Sequence, residues 1–243
     1  MSLTSAVDLS RTGDIWLFRG HSGADRAIQT LTNSPVNHVG MAVVLDDLPP
    51  LMWHAELGRS LPDVWAGEHR RGAQLHNLHD AVQIWAHRYG QRAWLRQLEP
   101  EVSREAEDAV LRTIARMDGT PFPTSLSLAT RWVTSKRPGS RLVSRIRRRR
   151  AFPASEAGTL KTATLGSARQ EPASQETTSQ ETASLETAYC AEIVALTYQA
   201  MGLLPADRPA GWYDPGRFWS GDGLALLGGG KLGTEIEIAV PSL

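Results

Sequence analysis

Short apolar runs broken by turn residues dominate the N-terminal half of the chain. Asp14–Phe18 follows a glycine and predicts a short strand. Val36–Leu45 is apolar and β-branched and predicts a buried strand. Asp46-Asp47-Leu48-Pro49-Pro50 is a turn, and Leu51–Leu57 resumes as a second strand, so the pair predicts a hairpin with a long loop. Ala73–Leu78 and Arg92–Leu98 predict further strands, and Ala24–Leu31 has helical spacing. The period then lengthens. Ser103 is a natural N-cap for a helix over Arg104–Met117, with Val110, Leu111, Ile114 and Met117 on one face and Gly119 after it. Pro121-Phe122-Pro123 predicts a turn and Thr124–Val133 another helix. Thr187–Met201 gives the clearest helical stripe (Ile193, Val194, Thr197, Ala200, Met201), closed by Gly202. Gly228-Gly229-Gly230, between Leu224–Leu227 and Glu235–Val240, predicts a closing hairpin.

Strands first and helices later, in a chain of 243 residues, predict one α+β domain with a real core. The basic and acidic side chains balance, 26 against 26, which argues against a surface built to coat nucleic acid. The single cysteine, Cys190, excludes an intramolecular disulfide framework and any multi-cysteine metal site. The start of the chain is polar and does not read as a signal peptide, and no apolar run reaches the roughly 18–20 residues of a membrane-spanning helix. The expectation is a soluble, cytoplasmic protein.

Charge is uneven along the chain. Between Arg131 and Arg150 there are nine basic residues and no acidic one; between Ala151 and Ala188 the net charge is −3. The second stretch is low in complexity (SQET, SQET, SLET) and carries little apolar surface to offset the entropy of ordering it. Residues 136–184 therefore read as a flexible insertion with a basic N-terminal part. It interrupts a single domain whose core is drawn from residues 12–135 and 185–243. Arg145–Arg150, beside Leu142 and Val143, offers weak contact with an anionic membrane, against the plainer reading of a solvated charged flank.

Candidate chemistry gathers on three segments. Cys190 falls in the first turn of the helix expected over Thr187–Met201, where the partial positive charge of a helix start favours a thiolate; a free cysteine is equally at home as a buried core residue. His38 opens the Val36–Leu45 strand and could serve as a base. His54 and Glu56, two apart on the next strand, share a face. If the strands pair, one of them would stand beside His38 and orient its ring. The remaining histidines, His69, His76, His79 and His87, do not place a pair with carboxylates on one helical face. No HExxH, GxxxxGK[ST] or GxGxxG is present, so neither a metal, a nucleotide nor another cofactor is expected. Trp16, Trp53 and Trp85 are expected in the core, and Trp212 and Trp219 beside a cleft or over the core.

Taken together, Gly13–Gly20 (GDIWLFRG), Asn37–Val43 (NHVGMAV), Met52–Glu56 (MWHAE) and the distant Tyr189–Val194 (YCAEIV) resemble the circularly permuted branch of the NlpC-type papain-like hydrolases, the YiiX/YebB-like branch. In that branch the strands precede the cysteine helix, as here. The resemblance implies a permuted papain-like fold, with a small antiparallel sheet or barrel packed on a helix that carries the cysteine near its N-terminus. It implies Cys190 as nucleophile, His38 as base and His54 as the third polar residue, with Glu56 as runner-up. Ala191 replaces the serine that often follows the family's cysteine; its backbone, not its side chain, would matter to an oxyanion hole. Asp14 reads as a structural hydrogen-bonding residue. The function this implies is hydrolysis of an amide, in a peptide, an isopeptide or a lipid-linked substrate, through a thioester. The rival expectations are a lipid acyltransferase or thioesterase of the same fold, a non-catalytic binding module, and a basic tether.

Overall fold

The structure is a computed structural model. It describes residues 1–117, apart from 24, 27, 28 and 30–32, and residues 189–241, apart from 221 and 222. The expected helix at Thr124–Val133, the insertion at 136–184, the basic run Arg145–Arg150 and much of the Ala24–Leu31 helix lie outside the described residues.

Six strands form one antiparallel sheet. In chain order they are β1 (Ile15–Arg19), β2 (His38–Val43), β3 (Leu51–Glu56), β4 (Gly72–Asn77), β5 (Arg92–Arg96) and, near the C-terminus, β8 (Ile236–Ile238). The spatial order is β4-β3-β2-β1-β5-β8, so the two ends of the chain contribute to one sheet. A second, two-stranded pairing joins β6 (Leu98–Glu99) to β7 (Lys231–Leu232). This corrects the expected closing hairpin. The segment before the glycine turn is not a strand, and the strands after it pair with β6 and β5 rather than with each other. Buried Arg96 holds that arrangement, donating to the carbonyls of Gly233 (2.7 Å), Phe218 (2.6 Å) and Leu232 (3.0 Å).

The strand alternation sorts side chains onto two covered faces. Ile15, Leu17, Val39, Met41, Trp53 and Leu75 point to one. There they share a cluster with Val110 and Ile114 of helix α3 (Arg104–Met117) and with Cys190, Ile193, Val194 and Tyr198 of helix α4 (residues 189–200). Trp16, Phe18, Ala42, Met52 and Leu95 point to the other face, against helix α1 (Leu3–Asp8) and helix α2 (Leu78–Tyr89). The protein is thus mixed α and β, an antiparallel sheet packed between helices.

Both helices of the second face went unread in the sequence. α2 begins on Asn77, whose side chain accepts from the Asp80 N–H, and ends on Gly90 at φ 62°, a left-handed stop. Its buried residues, Leu78, Ala81, Val82 and Trp85, follow a helical spacing. α3 has the expected cap, Ala106 N–H donating to Ser103 Oγ at 3.3 Å, but Leu111 is exposed and Thr113 takes the buried place beside Val110 and Ile114. α4 is buried over more than its expected stripe, since Ala191, Glu192, Ala195 and Tyr198 are also covered whereas Ala200 is exposed. It is fixed to the sheet by Trp53 Nε1 donating to Thr197 Oγ1 (3.1 Å) and by the Tyr198 hydroxyl donating to the Gly13 carbonyl. Asp14 has the structural role expected of it, accepting from the N–H groups of Arg11 and Leu98, both at 2.8 Å.

Candidate functional site

Antiparallel register builds the site. β2 and β3 pair with Met41 opposite Trp53, which sets His38 and His54 on a common face. β3 and β4 pair with His54 opposite Gln74 and Met52 opposite His76, which brings His76 to that same face. The result is a column of imidazoles. His38 Nε2 lies 3.2 Å from His54 Nδ1, and His54 Nε2 lies 3.0 Å from His76 Nδ1. Glu56 Oε2 approaches the same His76 nitrogen, Nδ1, at 3.9 Å and so flanks the His54–His76 contact.

The column is nearly dry. His54 and His76 are fully covered and His38 is 7% exposed. Trp85, carried by α2, closes it with edge-on packing, its ring 4.5 Å from the centroid of His38 and 5.1 Å from that of His54. Phe18, directly opposite His38 on β1, packs on Trp85. Burial disfavours the imidazolium. It pushes His38 down to about 3, with the charge on His76 adding to the effect. Burial holds His54 well below the ordinary histidine value, helped by repulsion from His76 and His38. His76 is lowered too, by burial first, but Glu56 and Asp63 oppose that shift, so positive charge is best tolerated at the His76 end.

The surrounding polar groups are held in place. Glu56 Oε1 accepts from the N–H groups of Arg59 and Ser60, both at 2.8 Å, and its Oε2 accepts from the Ser60 hydroxyl. Asp63 accepts from the Leu75 and Ala66 N–H groups and pairs with Arg70 at 2.6 Å. Gln74 donates to the Glu56 carbonyl at 3.2 Å, while its Oε1 is buried without a partner.

Of the residues singled out in the sequence, His38 and His54 are brought together, and Glu56 stands beside His76 rather than beside His38. His76, which spacing alone did not connect to any partner, joins them. Its link to His54 exists only through the β3–β4 register. Cys190 is wholly buried and belongs to the cluster on the other face, the one that includes Val39 and Met41 on either side of Gly40. The residues that would begin its helix lie outside the described ones. Trp16, Trp53 and Trp85 are buried as expected. Trp219 packs edge-on against Trp94, centroids 5.4 Å apart, and serves as a cover of the core. Among the described residues no helix is long and apolar enough to cross a membrane.

No family model and no curated protein matches the chain. Among solved structures it is similar to the metalloprotein yiiX from Escherichia coli O157:H7, with 26% identity and a TM-score of 0.36. That match covers 48% of this chain and 54% of the other, so the chain spans about half the length of the structure it matches.

Proposed function

We propose that this protein is a cysteine hydrolase of the permuted papain-like type, cleaving an amide through a thioester on Cys190. One observation carries the reading: His38 and His54 meet through Nε2 and Nδ1 at 3.2 Å, the contact that a base and its orienting residue require. With Nε2 turned to His54, Nδ1 is the ring nitrogen left to His38 for a thiol. Burial keeps that imidazole neutral but also a weak base, at about 3, so the transfer of the Cys190 proton requires His38 to gain solvent or a charged partner when substrate binds. In the reaction His38 Nδ1 takes the Cys190 proton as Sγ attacks the carbonyl carbon. The C–N bond then breaks and the amine leaves with the proton from His38. Water, deprotonated by the same nitrogen, releases the acid from the thioester. His54 fixes the plane and tautomer of the His38 ring throughout.

The reading sets a geometric condition. The imidazoles and the cysteine approach β2 from opposite faces of the sheet, so thiol and imidazole must meet around the end of the strand, which His38 opens. A second reading, a binding module that keeps the fold without the chemistry, is favoured by the complete burial of Cys190.

Iodoacetamide labelling of Cys190 across pH 4–9 separates the two. An activated pair labels quickly well below the free thiol pKa of about 8.5, and His38→Ala slows it. Labelling that tracks an ordinary thiol titration and ignores His38→Ala overturns the hydrolase.

A further inference from the structure

We propose that His54, His76 and Glu56 form a binding site for a divalent cation of the zinc class, and that occupancy silences His38. The three side chains are all buried, and each offers one ligand atom, all within 4.8 Å of one another. A tetrahedral zinc ion with bonds of about 2.0–2.1 Å holds its ligand atoms roughly 3.4 Å apart. The separations here bracket that value: 3.0 Å between His54 Nε2 and His76 Nδ1, and 3.9 Å between His76 Nδ1 and Glu56 Oε2. The third edge, from His54 Nε2 to Glu56 Oε2, is wider, with all three atoms within 4.8 Å of one another, so closing the triangle takes a movement of about an ångström by the Glu56 carboxylate.

A second observation points the same way. Gln74 lies directly across from His54 on the same sheet face, and its carbonyl oxygen is buried without a hydrogen bond. An orphaned acceptor of this kind is costly, and it lies on the strand pair that carries the three candidate ligands. Two imidazoles and a carboxylate, with an amide oxygen or water completing the set, suit zinc or cobalt better than calcium or magnesium, which prefer oxygen throughout. The supports are also in place: Glu56 is held by two backbone N–H groups and by Ser60, and His54 has His38 behind it.

The consequence for His38 follows from proton positions, and it rests on the hydrolase reading. In a neutral column that leaves His38 Nδ1 free as a base, each ring carries its proton on Nε2: His38 donates to His54 Nδ1 and His54 to His76 Nδ1, while His76 Nε2 is buried without a hydrogen-bond partner. A cation on His54 Nε2 needs that nitrogen bare. The His54 proton must then sit on Nδ1 and be donated to His38 Nε2, so the His38 proton moves to Nδ1. No proton leaves the column, but His38 now presents N–H where it presented a lone pair. The ion would act as an inhibitor.

The test uses the full chain, freed of metal with a chelator, with Cys190→Ala as host so that the thiol cannot ligate. Cobalt(II) titration followed by visible absorption should show one tetrahedral site, and His76→Gln and Glu56→Gln should each weaken it about tenfold or more. Cobalt or zinc should also raise the melting temperature of the host and not that of His76→Gln, a comparison that still reads if a variant is less stable. No tetrahedral spectrum in the host, or equal binding by His76→Gln, overturns the site. In the native-cysteine protein, zinc should slow iodoacetamide labelling of Cys190. Tight binding with unchanged labelling overturns the silencing and leaves the site standing. Ordinary thiol titration in the metal-free protein overturns the hydrolase reading alone.

Discussion

Acid should unfold this protein through its histidine column, and the size of the effect can be worked from His38. Its folded pKa is about 3 against an ordinary value of 6.5. Below pH 6.5 the unfolded chain therefore binds a proton that the folded protein refuses. The stability that depends on a neutral His38 is complete above pH 6.5 and is lost as pH falls from 6.5 towards 3. Each group of this kind costs up to about 1.4 kcal/mol per pH unit, and integration from pH 7 to pH 5 gives roughly 2 kcal/mol for His38 alone. His54 shifts in the same direction for the same first cause, so it adds to the loss. That is a large part of the stability of an ordinary domain. Asp14 acts with the opposite sign: burial raises its pKa, so its contribution grows as pH falls below the raised value and cannot account for an acid loss in this window. Urea unfolding of metal-free protein at pH 7, 6 and 5, followed by tryptophan fluorescence and circular dichroism, measures the slope. His54→Gln should lose a measurable part of the acid sensitivity while unfolding with a similar m-value. A wild-type protein whose stability is flat between pH 7 and 5, or a variant with the wild-type slope, refutes the argument.

Two further outcomes are expected. Thr197→Val strands the buried Trp53 Nε1–H, which now donates to Thr197 Oγ1 at 3.1 Å, and should cost about 1–3 kcal/mol in urea unfolding; a change below a few tenths would mean the bond does not hold α4 to the sheet. Gly40→Ala places a methyl group 2.8 Å from Met52 Cγ and 3.4 Å from His54 Cβ. It should lower stability by about 1–3 kcal/mol and move the His54 imidazole resonances in NMR spectra. Unchanged resonances would show that the column tolerates pressure from β2.

Much of the sheet was legible because its strands are nearly all apolar. A strand covered on both faces reads as a continuous hydrophobic run; β1 over Ile15–Phe18 and β2 over Val39–Val43 do so, and β3 does as far as Trp53. The hairpin of β2 and β3 followed from the Asp-Asp-Leu-Pro-Pro turn, and with it the shared face of His38 and His54. Helix α1 is too short to announce itself, since its six residues hold only through burial of Leu3, Ala6 and Val7. Helix α2 did carry a signal. Its apolar residues, Leu78, Ala81, Val82 and Trp85, repeat at helical spacing between Asn77 and Gly90, but polar residues, His79 and His87 among them, interleave with these and dilute the pattern. The C-terminal hairpin failed because a glycine turn says that the chain reverses and does not say which strand it pairs with. Here the register partners are β5 and β6, more than a hundred residues earlier in the chain.

The histidine column makes the same point about function. His38 and His54 are joined by a local hairpin, and local pairing is visible in the sequence. His76 reaches them across the β3–β4 pairing, after an intervening loop in which Glu56 caps Arg59 and Ser60 and Asp63 anchors Leu75. That loop sets the register, and the register decides which residue of β4 faces His54. A slip of one residue would turn His76 to the opposite face and replace it with Leu75 or with Asn77 at the strand end. The carboxylates of Glu56 and Asp63 thus act twice. They hold the backbone that aligns β4, and they make the His76 end of the column the place where positive charge is least costly. A proton or a cation entering this buried site is drawn to that end, away from His38, and what binds there acts on His38 through its charge and through the tautomer of His54.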